Sequence, residues 1–154
     1  MGSAVGDYDN DGDLDWFVSS VRDEEAQGPE HFLNWGATGN RLYRNRGGGR
    51  FEDATDEAGV REGHWGWAAC FADLDNDGQL EIVATAWGDD GRLAVFKHDG
   101  DPRGDWSMQI LKDQWPKANQ VIVADLTGNG RLDIIAGAER GSNEVRWWRN
   151  EGPT

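Results

Sequence analysis

The amino-acid sequence predicts an all-β fold, and three observations lead to that prediction. Apolar residues show no sustained helical period of about 3.6 residues. Short runs of β-branched and aromatic residues are instead bounded by glycine and by Asp/Asn clusters, which are signals of strands and hairpins. Glycine is abundant, with 22 residues, while proline contributes only 4. An acidic segment followed by an apolar run also occurs three times, so the fold is predicted to consist of repeated units.

The repeated segment is an acidic loop with glycine at its sixth position, followed by a strand. Its copies run from Asp7 to Asp15, from Asp73 to Glu81 and from Asp125 to Asp133. They begin 66 and then 52 residues apart, and a four-stranded propeller blade occupies about 40–50 residues. Each copy is therefore predicted to mark one β-propeller blade, with units at approximately 1–60, 61–115 and 116–154.

Each unit is predicted to have one strand before its acidic loop and two or more strands after it. They comprise Leu14–Val21, Asn40–Asn45 and Phe51–Ala54 in the first unit, Trp65–Ala72, Leu80–Trp87, Arg92–His98 and Trp106–Lys112 in the second, and Gln120–Ala124, Leu132–Ala138 and Glu144–Asn150 in the third. The first unit begins directly on its innermost strand. The third unit is incomplete, because no outer strand follows Asn150.

The first unit is longer than the others because of an insertion from Arg22 to Gly39, which is acidic at first and then aromatic (His31, Phe32, Trp35). A loop of this length is often functional, although it also fits a decorated surface. Three blades are too few to close a ring, since propellers typically have about four to eight. The chain is therefore predicted to be a fragment of a longer propeller or to close as a homo-oligomer.

The acidic loops have the composition of calcium sites. Calcium takes about six to eight oxygen ligands, and short Asp side chains that alternate along a tight turn can all point inward. The predicted ligands are Asp7, Asp9, Asp11, Asp13 and Asp15 in the first loop, Asp73, Asp75, Asp77, Gln79 and Glu81 in the second, and Asp125, Thr127, Asn129, Arg131 and Asp133 in the third. Asp13, Gln79 and Arg131 are expected to contribute main-chain carbonyl oxygens. The third loop has fewer carboxylates and is expected to bind Ca²⁺ more weakly.

Other metal sites fit the loops less well. An EF-hand needs a bidentate Glu at the twelfth position and flanking helices, whereas that position holds Val18, Ala84 and Ala136. Magnesium rarely uses a dedicated cage of carboxylates. No histidine joins the loops, so the calcium is expected to be structural rather than to activate a water molecule.

Composition and charge narrow the possible partners. The formal net charge is −14, and eleven of the 29 acidic residues lie in the three loops. Such acidity disfavours nucleic acid as a partner. No apolar run is long enough to cross a bilayer, so membrane insertion is not predicted. The single cysteine, Cys70, excludes an internal disulfide.

The first acidic loop and several segments outside the loops carry a family resemblance. They are Gly6–Ser19, Asn40–Asn45, Phe51–Gly59 and Gly66–Ala69. With them, the first two units resemble the FG-GAP/VCBS repeat of integrin-α-type propellers, and more particularly its bacterial and cartilage-acidic-protein-like branch. The third unit, with Gly141–Arg149, resembles a generic VCBS blade. The resemblance implies a propeller, calcium in the blade loops and an extracellular or periplasmic location. It implies no single activity, because such repeats serve adhesion proteins, lectins and accessory domains of enzymes.

The remaining motifs do not define an active site. Seven of the nine tryptophans either pack in the core or stack on sugars, namely Trp65, Trp67, Trp87, Trp106, Trp115, Trp147 and Trp148. Arg103-Gly104-Asp105 matches the tripeptide that adhesion receptors recognise; it is expected at an exposed hairpin tip, and a chance match is the favoured interpretation. His31, His64 and His98 share no spacing with a nucleophile or with metal ligands.

The leading prediction is a non-catalytic, calcium-stabilised propeller module that serves extracellular binding or scaffolding through a protein or glycan ligand. A lectin-like propeller that holds sugar between or at the edges of its blades is the alternative. A propeller domain of a polysaccharide-degrading enzyme is the third interpretation.

Overall fold

The computed structural model describes residues 1–21 and 38–152, and within them it contains eleven strands and no helix. The all-β prediction is confirmed. The strands are β1 Ser3–Gly6, β2 Asp15–Val18, β3 Arg41–Asn45, β4 Phe51–Asp53, β5 Gly66–Ala72, β6 Glu81–Ala86, β7 Arg92–Lys97, β8 Ser107–Lys112, β9 Ala118–Ala124, β10 Asp133–Ala138 and β11 Glu144–Trp148. Most of the predicted insertion, including His31, Phe32 and Trp35, lies outside the described residues.

The strands form three antiparallel sheets in which each strand pairs with its neighbours in sequence. Sheet 1 contains β1 to β4, sheet 2 contains β5 to β8, and sheet 3 contains β9 to β11. The innermost strands lie side by side, because β1 packs against β5 and β5 against β9. This arrangement is that of successive propeller blades, and within the described ranges the sheets form an open array rather than a closed ring.

Several strands end earlier than the sequence predicts, for local reasons. Strand β2 stops at Val18 because the Ser20 amide donates to the Asn40 side chain and Val21 bridges to Trp65 of the next unit. Strand β11 stops at Trp148, and the amide of Asn150 donates to the buried Asp133 carboxylate at 2.7 Å. Side-chain acceptors thus take amides that would otherwise extend the ladders.

The core lies in the two spaces between the sheets. Alternation along β6 sends Ile82 toward sheet 1 and Val83 toward sheet 3, so the strand is buried along its whole length. The first core contains Tyr8, Phe17, Leu42, Ile82, Phe96 and Trp106, and the second contains Val83, Leu93, Val95, Trp115 and Ile134. Each such side chain contributes about 1.5–3 kcal/mol of hydrophobic stabilisation, so the middle sheet is held from both faces.

The three acidic loops lie in a row at one edge of the array. Loop 1 (Asp7–Asp15), loop 2 (Asp73–Glu81) and loop 3 (Asp125–Asp133) each join the two innermost strands of one sheet. The Asn10 side-chain amide donates to the Gly78 carbonyl of loop 2 at 3.0 Å, and Asn76 donates to Gly130 of loop 3, also at 3.0 Å. Neighbouring loops are therefore joined directly by hydrogen bonds.

The two outer faces of the array expose apolar side chains. Trp16 lies on the open face of sheet 1 with its ring 5.6 Å from that of Tyr43. Val145 and Trp147 lie on the open face of sheet 3, with Trp147 half exposed. Trp148, on the opposite face, packs at 5.7 Å against the buried Trp115. The two adjacent tryptophans thus point to opposite faces, as alternation along a strand requires.

Candidate metal centres

Loop 1 is shaped by hydrogen bonds from its own backbone. The Asp7 carboxylate accepts the amides of Asp11 at 3.0 Å and Gly12 at 2.9 Å, and Asp11 accepts the amide of Asp13 at 3.0 Å. Gly12 has φ +94°, a left-handed conformation that side-chain-bearing residues rarely adopt. The glycine at the sixth position is therefore required by the turn.

Loops 2 and 3 repeat the same geometry. Asp73 accepts the amides of Asp77 at 3.1 Å and Gly78 at 3.0 Å. Asp125 accepts the amide of Gly130 at 2.8 Å, and further bonds come from the amides of residues 127–129. These bonds, with that from Gly130 foremost, lower the pKa of Asp125 below its ordinary value. The first carboxylate of each loop thus fixes the turn.

Three carboxylates converge in each of the first two loops. Ligand oxygens of Asp7, Asp9 and Asp15 lie within 4.8 Å of one another, as do those of Asp73, Asp75 and Glu81. In the described part of the chain these are the two groups of three or more His, Cys, Asp or Glu side chains that could share a metal ion. Both groups consist of hard oxygen donors alone, the ligands that calcium prefers.

The Asp9 side chain has a buried oxygen that no protein donor satisfies in the described residues. It is fully buried, and its Oδ1 atom has no hydrogen-bond partner. Buried acceptors are almost always satisfied, so a lone one requires an explanation such as a bound ion. The oxygen-rich cluster around Asp9 therefore fits a divalent cation in its donor chemistry.

Other predicted ligands lie outside these clusters. Asp11 and Asp77 are exposed and accept the amides of Asp13 and Gln79, which shape the turns. The predicted carbonyl ligands of residues 13, 79 and 131 stay predictions. Loop 3 provides only two carboxylates, because Thr127 and Asn129 replace acids. Its geometry matches the other loops while its charge does not.

The last carboxylate of each loop also joins the loop to its sheet. Asp15 is buried and accepts the amides of Tyr8 at 3.0 Å and Asn45 at 2.7 Å. Burial raises its pKa to about 6. Glu81 accepts the amide of Leu74 at 2.8 Å, and burial raises its pKa to about 7. In the sequence these residues are predicted only as ligands, whereas the structure gives them a second role as loop anchors.

Two guanidinium groups surround Asp9. Arg103 Nε lies 2.8 Å from Asp9 Oδ2, and Arg44 Nε lies 3.4 Å from the same oxygen. Arg44 also donates to the Tyr8 hydroxyl at 2.8 Å. Trp106 anchors the hairpin that carries Arg103, packing edge-on against Tyr8 at 5.8 Å. These contacts have no sequence signal, because Arg103 lies 94 residues from Asp9.

The adhesion-like tripeptide is exposed as predicted, but its arginine is engaged. Arg103 also lies 3.5 Å from Asp11, so its guanidinium spans two acids of loop 1.

Two other side chains considered in the sequence, Cys70 and His64, lie outside the acidic loops. Burial raises the pKa of Cys70 to about 11, in keeping with an inert thiol, and His64 lies 3.1 Å from Asp90.

Comparison with known protein families finds a match that covers the first two loops. The sequence model of a family described as the FG-GAP-like repeat matches residues 7–84, which is 78 of the 154 residues. The matched segment includes loops 1 and 2. No curated protein matches the sequence. No helix capable of spanning a bilayer occurs in residues 1–21 and 38–152.

Proposed function

The chain belongs to the FG-GAP-like repeat family, and on that premise we propose that it is a non-catalytic, calcium-binding β-propeller module for extracellular or periplasmic binding or scaffolding. The observation that supports calcium most directly is the buried, unpartnered Oδ1 of Asp9 inside a cluster of three carboxylates. Loop 2 repeats the cluster, which favours a common role in both blades.

The carboxylates of loops 1 and 2 have different roles in forming the proposed cation site. Asp7 and Asp73 fix the turn through backbone amides, while Asp15 and Glu81 tie the loop to the sheet. Bound calcium supplies positive charge that offsets the repulsion among the converging carboxylates. Because the same carboxylates hold the turns and anchor the loops, their arrangement supports a structural ion rather than a catalytic one.

Thermal unfolding tests this proposal. A ligand that binds only the folded state stabilises it by mass action, so CaCl₂ should raise the melting temperature of the EDTA-treated chain. Asp9→Asn keeps the shape of the side chain and should reduce that rise, whereas Asp99→Asn, at an exposed turn outside the loops, should not. An unchanged melting temperature in excess CaCl₂ would contradict the proposal.

Carbohydrate binding is the second candidate. Trp147 is half exposed on the open face of sheet 3, and Trp148 borders a groove between sheets 2 and 3. Exposed indole rings provide large, rigid contact surfaces with one polar group. Selective glycan binding with calcium present would favour this candidate.

For the partner, we propose that the two open faces take further blades from a second copy of the chain or from a longer propeller. By strand register, Trp16 and Tyr43 of sheet 1 correspond to Ile82 and Phe96 of sheet 2, which are buried. Trp147 corresponds in the same way to the buried Val95. Light scattering with calcium tests self-association, and a stable monomer would contradict the homo-oligomer.

A further inference from the structure

A groove of about 480 Å³ lies between sheets 2 and 3, next to loops 2 and 3. Its apolar floor includes Leu111 and Ile134, and its walls include Trp148, Lys97 and Arg131. Small-molecule sites commonly have volumes of about 300–1,000 Å³, with a mainly apolar lining and a few polar groups. The groove has the size and composition of such a site.

The charge of the groove is opposite to that of the chain. Of the residues described, Lys97, Arg131 and Arg149 border it together with a single acid, Asp75, although the formal net charge of the protein is −14. Lys97 lies 3.8 Å from Asp75, and Arg149 lies 3.2 Å from Glu151. Within the described ranges Arg131 makes no ion pair, so its guanidinium is available to an anion.

The position of Arg131 is set by the backbone around it. Its amide donates to Asn129 at 2.9 Å in the turn of loop 3. Its guanidinium lies against Gly152, where a Cβ would come within 2.6 Å of Arg131 Cζ. Asn150 closes this end of the groove, since its side chain donates to the Leu74 carbonyl and its amide to Asp133. The backbone of Arg131 is thus held by the turn, and its guanidinium lies beside Gly152 in the groove wall.

The corresponding space between sheets 1 and 2 is filled by the chain itself. There Trp106 packs on Tyr8 and donates its amide to the Ala58 carbonyl at 2.9 Å, and Arg103 reaches Asp9. Leu74 occupies the position of Tyr8 in loop 2 and borders the open groove instead. Among the described residues, the space between sheets 2 and 3 thus differs in leaving Lys97, Arg131 and the Trp148 ring along an open groove.

We propose that this groove binds a carboxylated sugar, a hexuronate unit of an acidic glycan. The carboxylate pairs with Arg131 and Lys97, because a guanidinium fork matches carboxylate geometry. The apolar face of the sugar ring packs against Trp148, and Gln109 borders the groove as a hydrogen-bonding partner for hydroxyls. This inference deepens the proposed binding function by naming a ligand class, and it depends on that function only in treating the chain as a binding module.

Calorimetric titration with D-glucuronate at low ionic strength and saturating CaCl₂ tests the proposal, with D-glucose and acetate as matched controls. Glucuronate should bind at least about tenfold more tightly than either control, since it alone combines the charge with the ring. Arg131→Gln should weaken glucuronate binding about tenfold. Gln79 occupies the same position in loop 2, so glutamine is compatible with this turn. Arg50→Gln, which alters an exposed arginine in the turn between β3 and β4, should have no effect.

Lys97→Gln provides a second variant and should also weaken glucuronate binding. Equal affinity for glucuronate and glucose, equal affinity for glucuronate and acetate, or full affinity in Arg131→Gln would overturn the proposal. Absence of uronate binding, whether or not the chain self-associates, would overturn it too. A calcium-dependent rise in melting temperature without uronate binding would leave the calcium module intact and reject this inference alone.

Discussion

Loops 1 and 2 have nearly the same acidic sequence, but their acidic side chains lie in different surroundings. The Asp9 side chain of loop 1 is fully buried between Arg44 and Arg103, whereas that of Asp75 in loop 2 is about half exposed and lies 3.8 Å from Lys97. Loop 1 has one carboxylate more than loop 2. The guanidinium groups of Arg44 and Arg103 repel a cation and therefore oppose the attraction of the extra carboxylate. The number of carboxylates alone thus does not predict which loop binds calcium more tightly.

The largest difference between the loops should appear without metal. In EDTA, Asp9→Asn should lower the free energy of unfolding by about 2 kcal/mol, because the buried Arg44 keeps Glu57 at 3.4 Å but loses its other charged partner. Asp75→Asn should change it by no more than about 0.5 kcal/mol, because its ion pair is exposed. Urea denaturation measures both values. Equal losses of unfolding free energy in the two variants would show that the burial of Asp9 does not make loop 1 more important for stability than loop 2.

The anchoring carboxylates should make metal-free stability depend on pH. The pKa of Glu81 is raised from 4.5 to about 7 in the folded chain, so the folded state keeps this proton longer than the unfolded state. Stability in EDTA should therefore be fully present below about pH 4.5 and fall as the pH rises through 7, by up to about 3 kcal/mol. Glu81→Gln should flatten this profile in urea denaturation. A wild-type profile that rises over this range would contradict the assignment.

The corresponding effect in loop 1 should be smaller. The pKa of Asp15 is raised from 3.8 to about 6, and two backbone amides oppose its protonation. Its contribution should therefore be lost at a lower pH than that of Glu81, as Asp15→Asn would show in the same experiment.

Arg103 should set the calcium affinity of loop 1. Arg103→Ala removes a positive charge from Asp9 and Asp11 and should raise the affinity of loop 1 by about threefold, leaving loop 2 unchanged. Calcium titration at low salt measures this change, since screening weakens the effect of an exposed charge. Arg50→Ala is the control. A loss of affinity would mean that Arg103 supports the site rather than competing with the ion.

The smallest effect should come from the bonds between loops. Asn10→Gly removes the bond to the Gly78 carbonyl and should cost about 0.5 kcal/mol, because the bond is exposed. Loop 3 has Gly128 at this position, so the turn accepts glycine. Urea denaturation of Asn10→Gly and Asn76→Gly should give similar values. A loss of several kcal/mol in either would show that the loops fold as one unit.

Much of the fold follows from the sequence because its signals are local. The repeated loops, their glycines and the flanking apolar runs place ten of the eleven strands to within a few residues. Strand ends differ where a distant side chain captures an amide, as Asn40 does at Ser20 and Asp133 does at Asn150. Those partners are distant in sequence, so the local pattern does not reveal them.

The candidate site could be predicted in composition but not in environment. The spacing identifies Asp7, Asp9 and Asp15 as a set, because they recur in the second unit as Asp73, Asp75 and Glu81. The burial of Asp9 depends on the hairpin of the next sheet, which places Trp106 over Tyr8. The cationic groove likewise depends on how sheets 2 and 3 pack, and no single segment of the sequence contains it.

Direct calcium counting tests the central claim most closely. Equilibrium dialysis of the EDTA-stripped chain against labelled calcium should show saturable binding by loops 1 and 2, with Asp9→Asn weakening one site and Asp75→Asn the other. The predicted result is saturable binding in the wild type and the loss of one bound ion in each variant. No saturable binding, or binding that neither variant alters, would contradict the assignment of the two loops as calcium sites.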